Sequence, residues 1–403
     1  MSQEAVVLDL GSQKVAALWG RSTPEGQLEV LGLGIQHHSG VFRFGEVTRP
    51  NEAAEVLESA LRKALGKHRK KLRRLPVHVA LSGRHYTARW ARGTDNISKT
   101  DPVEISPENI RELIHIVMNE PELNGRLIFR FYPFLFRIDE AQKVPNPIGM
   151  LGRSLEVWGL AAYAQTIVLR NVEDLLHSVG ISDRLLAFEY QPVAASLAVL
   201  NRGDRQEHLL VLDLGHAKVD YAFWMNQALR VAGSMSDGCH QALVQALARQ
   251  FQISREKAGE LLTRVGEITD TQTGPETITL SLGGQGITRQ INRWDALQVI
   301  HRELDRMVYR LQEFMDRLDG SISGVVVVGG LAQLPGLLPY LEQKLHRPVR
   351  LGGIQGFVSP PGNGDPSLAV VAGALKLATQ DLVPARRKKR SFLRKLQEVF
   401  KGF

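Results

Sequence analysis

The amino-acid sequence predicts an α/β protein built from two related halves, and three observations carry that reading. First, a segment near the N-terminus recurs half a chain later. Residues 7–20 read VLDLGSQKVAALWG and residues 211–224 read VLDLGHAKVDYAFW, so both contain V-L-D-L-G-x-x-K-V, with Asp9 and Asp213 separated by 204 positions. Self-similarity on that scale marks a duplication. Second, each copy opens on an unbroken apolar run, Val6, Val7 and Leu8 in one and Leu209 to Leu212 in the other. Such a run is the pattern of a strand buried on both faces. Third, residues 325–337, VVVVGGLAQLPGL, read as a further buried strand ended by Gly329 and Gly330 and followed by a helix start.

Each repeated segment reads as strand, tight turn, strand. Gly11 and Gly215 supply the turns, while Val15 to Leu18 and Val219 to Phe223 return as the second strands. A glycine lets backbone N–H groups approach phosphate oxygens closely. An aspartate ending the first strand is placed to hold a hydrated divalent cation beside those phosphates, which singles out Asp9 and Asp213 as magnesium positions. Two such hairpins facing each other from two domains would clamp a nucleotide. One Asp-x-Gly turn means little, but two near-identical copies half a chain apart are much stronger evidence. The double glycine at 329–330 ends a strand where backbone can pass close to a ligand. No G-x-G-x-x-G after a strand and no P-loop G-K-[ST] occurs.

Composition excludes several classes. The chain has 403 residues, 43% hydrophobic and 23% charged, which is the make-up of a folded protein of two or more modules. Its one cysteine, Cys239, rules out a disulfide within the chain and points to a reducing compartment. The N-terminus runs straight into a strand pattern, and no run of about 18 apolar residues is present, so the expectation is a cytoplasmic chain without a membrane span. The net charge is +8, but residues 385–403 hold eight Lys/Arg against one Glu, leaving +1 for the rest. A near-neutral body with a basic end points to an anionic surface, not to nucleic acid. A second basic run, Arg62 to Arg74, holds eight Lys/Arg and no acid and follows the helical pattern Ala54, Leu57, Leu61, Leu65. With no aromatic residues interleaved for base stacking, it reads as a solvated helix end and its loop.

The two hairpins and the glycine turn, in this order, resemble the phosphate and adenosine motifs of the actin, Hsp70 and sugar-kinase superfamily. EYQPVAASLAVL at 189–200 resembles the helix that joins the two halves there. The resemblance covers residues 1–379 and implies an actin-like two-lobed fold of duplicated RNase H-like domains. It implies ATP with magnesium as cofactor, held by Asp9, Gly11, Ser12, Lys14, Asp213, Gly215, Gly238, Gly329 and Gly330.

The segment 85–163 does not look like the usual actin subdomain. Ser106 as N-cap and Pro107 at the first helical position announce a helix with Ile110, Leu113, Ile114 and Val117 at helical spacing. RLIFRFYPFLFRID then reads as a strand with Leu127, Phe129 and Phe131 on one face. The run PNPIGMLGRSLEV at 145–157, ALSGRH at 80–85 and GGLAQLPGL at 329–337 resemble the FtsA family of bacterial division actins. That family carries an inserted α+β domain of the SHS2 type, called 1C. The resemblance implies subdomain 1A at 1–84 and 164–203, 1C at 85–163, 2A at 204–235 and 312–379, and 2B at 236–311. A linker at 380–390 then leads to a membrane-targeting helix at 391–403. It also implies self-association into polymers, attachment to the inner face of the cell membrane and further division partners. Among these is the C-terminal peptide of the tubulin-like FtsZ. ITRQINRWDALQVI at 287–300 resembles the receiving segment, with Arg289 and Arg293 four apart as basic positions, on one face if helical.

The tail, PARRKKRSFLRKLQEVFKGF at 384–403, is legible without the resemblance. Phe392, Leu393, Leu396, Val399, Phe400 and Phe403 fall on a single helical stripe, and Arg390 and Arg394 flank it. Large apolar residues with basic flanks describe an interfacial helix. Six such side chains, at most about 1.5–3 kcal/mol each, are offset by ordering some 13 residues, so one copy binds weakly and an array binds firmly.

The chain departs from the superfamily at the second hairpin. The usual D-x-G-G-G-T is here Asp213, Leu214, Gly215, His216, Ala217, Lys218, and the usual G-N-x-x-T is Gly238, Cys239, His240, Gln241, Ala242. The Glu and Lys that approach the nucleoside in relatives fall near Lys257 and Glu260 with the charges exchanged. The expectation is a cleft that holds ATP loosely or not at all, with slow or absent hydrolysis and no catalytic residue. Two alternatives stand beside this one: an ATP-dependent enzyme of the same fold, and a cytoplasmic pilus-assembly adaptor of the PilM kind.

Overall fold

A computed structural model describes residues 4–120, 124–268, 277–282, 287–318 and 322–380, the last without its side chain. The tail positions from Arg390 to Phe403 lie outside the described residues.

The first sheet grows from the first repeat. Strands β1 (Glu4–Leu10) and β2 (Lys14–Ser22) form the predicted hairpin, and β3 (Leu28–His37) continues it. A two-residue hairpin, β4 (Phe42–Arg43) and β5 (Glu46–Val47), precedes helix α1 (Pro50–Leu65). The basic run then forms a 3-10 segment, Gly66–Arg73, before β6 (Val77–Leu81). An insertion leaves the lobe here with β7 (Tyr86–Asn96), β8 (Val103–Glu104), α2 (Pro107–Met118), β9 (Arg126–Ile138), β10 (Gln142–Val144), β11 (Leu151–Gly152) and β12 (Ser154–Gln165). The chain returns through α3 (Thr166–Ser178), β13 (Leu185–Tyr190) and α4 (Gln191–Val199).

The second lobe repeats the first. Strands β14 (Leu209–Leu214), β15 (Val219–Met225) and β16 (Ala228–Met235) are antiparallel neighbours. Helices α5 (His240–Phe251) and α6 (Arg255–Val265), the hairpin β17 (Thr277–Ser281) and β18 (Thr288–Asn292), and helix α7 (Arg293–Asp316) follow. Strand β19 (Gly324–Val328), α8 (Leu337–Leu345), β20 (Val349–Leu351) and α9 (Ala369–Gln380) complete the described chain. The sheets run β3-β2-β1-β6-β13 and β16-β15-β14-β19-β20, so each has three antiparallel strands followed by two parallel ones. The register repeats with the sequence. Asp9 sits opposite Ala16 and Asp213 opposite Asp220, both pairs offset by the same 204 positions.

Helices α4 and α9 pack between the sheets. Helix α4 is apolar on all sides and buried almost throughout, as expected of a helix with no solvent face. Gly373 of α9 lies so close to it that a Cβ there would sit 1.7 Å from the Ala194 carbonyl oxygen. Only a residue without a side chain lets the two backbones meet.

The insertion has its own small core. Its sheet runs β10-β9-β12-β7, and α2 covers one face with Ile110, Leu113 and Val117 buried. Ser106 caps α2 through the amide of Asn109, whose side chain answers on the Ser106 amide. The strand predicted at RLIFRFYPFLFRID forms, but its residues do not share one face as predicted. Leu127 and Phe129 join the first-lobe core, whereas Phe131 joins Ile128 and Phe136 in the core of the insertion. The cause is a register shift in the β9–β12 ladder, where Ala162 faces Arg130 and Tyr163 faces Ile128, leaving Phe129 as an extra residue that reverses the alternation.

Candidate functional site

Both hairpins converge where the lobes meet, at the expected cleft, since Asp9 of one and Lys218 of the other bond the same Gln191 side chain. The turns are built alike: a Cβ on Gly11 would come within 2.8 Å of the Lys14 carbonyl oxygen, and one on Gly215 within 2.8 Å of that of Lys218. The glycines therefore close the turns, and the following lysines are carried to matching positions. Lys14 Nζ donates to Ser367 Oγ at 2.5 Å, just ahead of α9, and Ser12 lies half-buried in the same loop. Gly329 has φ of +93°, and a Cβ on it would meet Asp213 Oδ1 at 2.4 Å. The glycine turn after β19 thus lies directly against the second hairpin, while Gly330 beside it has only Ser367 Cβ near, at 4.0 Å.

A buried polar network ties the lobes together on the cleft floor. Gln191, the first residue of α4, donates through Nε2 to Asp9 Oδ1 at 2.6 Å and to the Ala80 carbonyl oxygen at 3.1 Å. Its Oε1 accepts from Lys218 Nζ at 2.8 Å and lies 2.5 Å from Ser82 Oγ. Ser82 Oγ also lies 2.7 Å from Asp220 Oδ2, and Lys218 forms an ion pair with Asp220. Ser234 donates to the other Asp220 oxygen at 2.5 Å. Lys218 follows from the repeat, as the partner of Lys14. Ser82, Gln191, Asp220 and Ser367 escaped the sequence reading because each is an ordinary polar residue until the fold brings it to the cleft.

The two aspartates share an uneasy electrostatic setting. Burial pushes the Asp9 carboxyl up to about 6, against the pull of the Lys218 and Lys14 ammonium groups. Burial pushes Asp213 up to about 7, helped by the negative charge of Asp220. A divalent cation between such carboxylates would restore their ionised forms, so their chemistry fits a magnesium ion. Among the described residues no three His, Cys, Asp or Glu groups form a metal site on their own. Magnesium here would keep its remaining ligands from water and phosphate, as is usual for that ion.

The second hairpin differs from the first in what fills it. His216 stacks on His240 of α5, with ring centroids 4.8 Å apart. The first amides of α5 are also spent, since His240 N donates to the Gly215 carbonyl at 3.2 Å and Gln241 N to that of His216 at 2.7 Å. The amides that a phosphate would use at this helix end are bonded within the protein. Burial lowers the His216 imidazole to about 4, with further lowering by His240 and His38, and burial lowers His240 as well. The stack is therefore neutral near pH 7. His38 sits against the first hairpin, with Nε2 3.0 Å from the Gly11 carbonyl oxygen. The residues of the first hairpin fit a nucleotide phosphate, whereas the second is closed by imidazoles.

The remaining predicted positions are scattered. Gly238 has φ of +68° and packs on Met307. Lys257 and Glu260 pair with each other on α6 at 2.8 Å, and Glu260 also pairs with Arg264. Arg289 and Arg293 do not share a helical face. Arg289 lies in β18 opposite Leu280, and Arg293 begins α7. Arg293 is buried, with its guanidinium on the carbonyls of Val265 and Glu267 at 2.8 and 2.9 Å. The resemblance implies a peptide-receiving role for it, but the turn into α7, capped by Asn292, carries its guanidinium inward onto these carbonyls.

Comparison with known proteins agrees with this architecture. A family model described as "SHS2 domain inserted in FTSA" matches residues 83–160, which spans β7 to β12. The cell division protein FtsA of Streptococcus pneumoniae is 24% identical over 353 residues, covering 86% of this chain and 76% of that protein. FtsA of Escherichia coli K12 is 22% identical over 359 residues, covering 86% and 83%. Among solved structures, a chain of the PilM–PilN type IV pilus biogenesis complex superposes with a TM-score of 0.64 at 17% identity, covering 92% of this chain and 98% of that one. MreB 5 of Spiroplasma citri bound to AMPPNP superposes with a TM-score of 0.57 at 10% identity, covering 100% and 99%. At these identities the structural matches establish the fold alone. The class is therefore an actin-fold protein with an inserted SHS2 domain. Within that class, the chain is a relative of the bacterial cell division protein FtsA, as the sequence resemblance implied.

Proposed function

We propose that this protein is an actin-like cell division scaffold that self-associates on the inner face of the cell membrane and tethers FtsZ filaments to it. The observation that carries the reading is the pairing of an FtsA-type insertion, within a chain alignable to FtsA over 86% of its length, with an amphipathic basic tail sequence. Division proteins beyond FtsZ would join through the same assembly. The subdomain limits given above, from 1A to the tail helix at 391–403, belong to this proposal. So does a peptide-receiving surface around Arg289, with Arg293 as a buried support. No helix among the described residues is long and apolar enough to cross a membrane. The proposed attachment is the tail, on the strength of its apolar stripe and basic flanks.

The same reading makes the cleft a weak nucleotide site. Bound ATP with magnesium would supply a charged bridge between the lobes. Asp9 and Asp213 would hold the cation through water, Lys14 would meet a phosphate, and Gly329 and Gly330 would let the backbone run close to the nucleoside. The His216–His240 stack stands where the second hairpin would cradle phosphate, so affinity is low and hydrolysis slow or absent. One experiment tests the whole: co-sedimentation of the full chain with anionic liposomes, beside Leu396→Glu, with and without ATP. Binding that disappears in the variant supports the tether. A wild-type protein that stays in solution sinks it and moves the pilus-type adaptor ahead.

A further inference from the structure

Ala64, Leu65 and Leu72 anchor the run at 62–74 to the first-lobe core, but most of its basic side chains have no part in the cleft, in the insertion or in either core. Arg62, Lys67, Lys70, Arg73 and Arg74 are exposed, and among the described residues none of them forms an ion pair or side-chain hydrogen bond. Nearby acids are few and already engaged, Glu58 with Arg69 at 2.6 Å and Glu4 with Lys71 at 3.7 Å. Five like charges left unneutralised on one short segment repel one another, so they are tolerated most easily where an anionic surface meets them.

Their position in the fold indicates which surface. Helix α9 starts at the cleft, because Ser367 just before it receives the Lys14 ammonium. It then runs along β2 away from the cleft, and its Leu375 occupies the space a Cβ on Gly20 would take, 2.5 Å away. Six residues of strand separate Lys14 from Gly20, about 20 Å. The described chain therefore ends at the pole opposite the cleft, where Glu4 pairs with Arg21. The basic segment lies at that same pole on the other face of the sheet. His68 packs on Trp19 with centroids 5.4 Å apart, Lys71 lies 4.9 Å over the Trp19 ring, and Lys71 also reaches Glu4. Ten residues from Gln380 to Arg390 span at most about 36 Å, so the tail's own cations start from this pole and can reach the same membrane surface as the basic segment.

We propose that the exposed face of residues 62–74 is a second membrane contact, which lies against anionic lipid headgroups while the tail helix inserts. This rests on the tether reading above and adds to it an orientation: the pole opposite the cleft faces the bilayer, and the cleft faces away. The tail supplies apolar insertion and the folded patch supplies electrostatic attraction, two weak signals whose sum gives firm attachment. The attraction fades as salt rises, because headgroup and patch meet across water.

The test uses the full chain and vesicles of phosphatidylcholine with and without 30 mol% phosphatidylglycerol, as an order-of-magnitude choice of charge (about one lipid in three). Lys67→Glu, Lys70→Glu and Arg73→Glu are combined in one variant, with melting curves to show that it folds like wild type. The expected result is binding to anionic vesicles weakened at least about tenfold, with little change on neutral ones and a shallower salt dependence. Unchanged binding by this variant, with binding lost in Leu396→Glu, overturns the patch and leaves the tether standing. Binding lost by the patch variant but kept by Leu396→Glu supports the patch and removes the tail as anchor. No binding by wild type removes both. If instead wild type binds a short DNA duplex, the patch variant loses that, and vesicle binding is untouched, the patch serves nucleic acid and the proposal falls.

Discussion

At the scale of single residues, the cleft is governed by burial of charge. Asp9 and Asp213 are pushed upward and His216 downward by the same cause, the loss of water around a group that would otherwise ionise. For His216 the consequence has a definite sign. Its folded-state value, about 4, is below the ordinary 6.5, so between those values the unfolded chain binds the extra proton. Stability from this group is complete above about pH 6.5 and is lost as pH falls towards 4. His216→Gln removes that dependence: relative to wild type it gains on the order of 1–2 kcal/mol between pH 7 and pH 4, a figure reduced for the partial exposure of the ring. Urea unfolding at a series of pH values measures it, and parallel curves for the two proteins would contradict the assignment. The stacked ring was readable as a departure from the phosphate motif. That it is neutral, and that α5 bonds the hairpin behind it, depended on the packing of His240.

At the scale of elements, the α4–α9 crossing is where a single atom matters most. Gly373→Ala places a methyl carbon on the Ala194 carbonyl and forces the helices apart, which should cost more than about 2 kcal/mol through overpacking at the junction of both lobes. A lowered denaturant midpoint with an unchanged slope is the expected result. The strand β9 teaches the opposite lesson about pattern. Alternation along RLIFRFYPFLFRID reads as one apolar face, but the extra residue at Phe129 divides the strand between two cores. A bulge leaves no mark in hydrophobic periodicity, since each residue remains apolar and only its side changes. Arg293 carries a related lesson, because a guanidinium bonded to two carbonyls has the same sequence as one in water.

At the scale of the molecule, the insertion touches the second lobe as well as the first. Trp90 of β7 donates from its indole nitrogen to the Arg230 carbonyl at 2.6 Å, the Arg230 guanidinium lies 5.0 Å over the ring, and Phe134 packs beside it. With Trp90 half exposed, this contact is peripheral and not part of any core. Trp90→Ala should therefore leave global stability within about 1 kcal/mol while speeding hydrogen exchange at β16, the edge strand it covers. Exchange unchanged at β16 would show that the contact does not hold the insertion against the lobe.

The duplication, both hairpins and the inserted module were all legible from residue order. Each is a local pattern, set by apolar periodicity, by glycine at a turn or by a repeat at fixed spacing, and local patterns survive in one dimension. Even the register of the second hairpin follows from the first through the offset of 204. The polar floor of the cleft, the closed second hairpin, the divided strand and the placement of the basic segment at the pole where α9 ends were decided by the fold alone. Those features join residues far apart, as Ser82 and Asp220 are at 138 positions, and Lys14 and Ser367 at 353. Nothing about a serine or an asparagine-sized side chain in isolation says which distant partner it will meet, because that is set by how two sheets and two central helices pack.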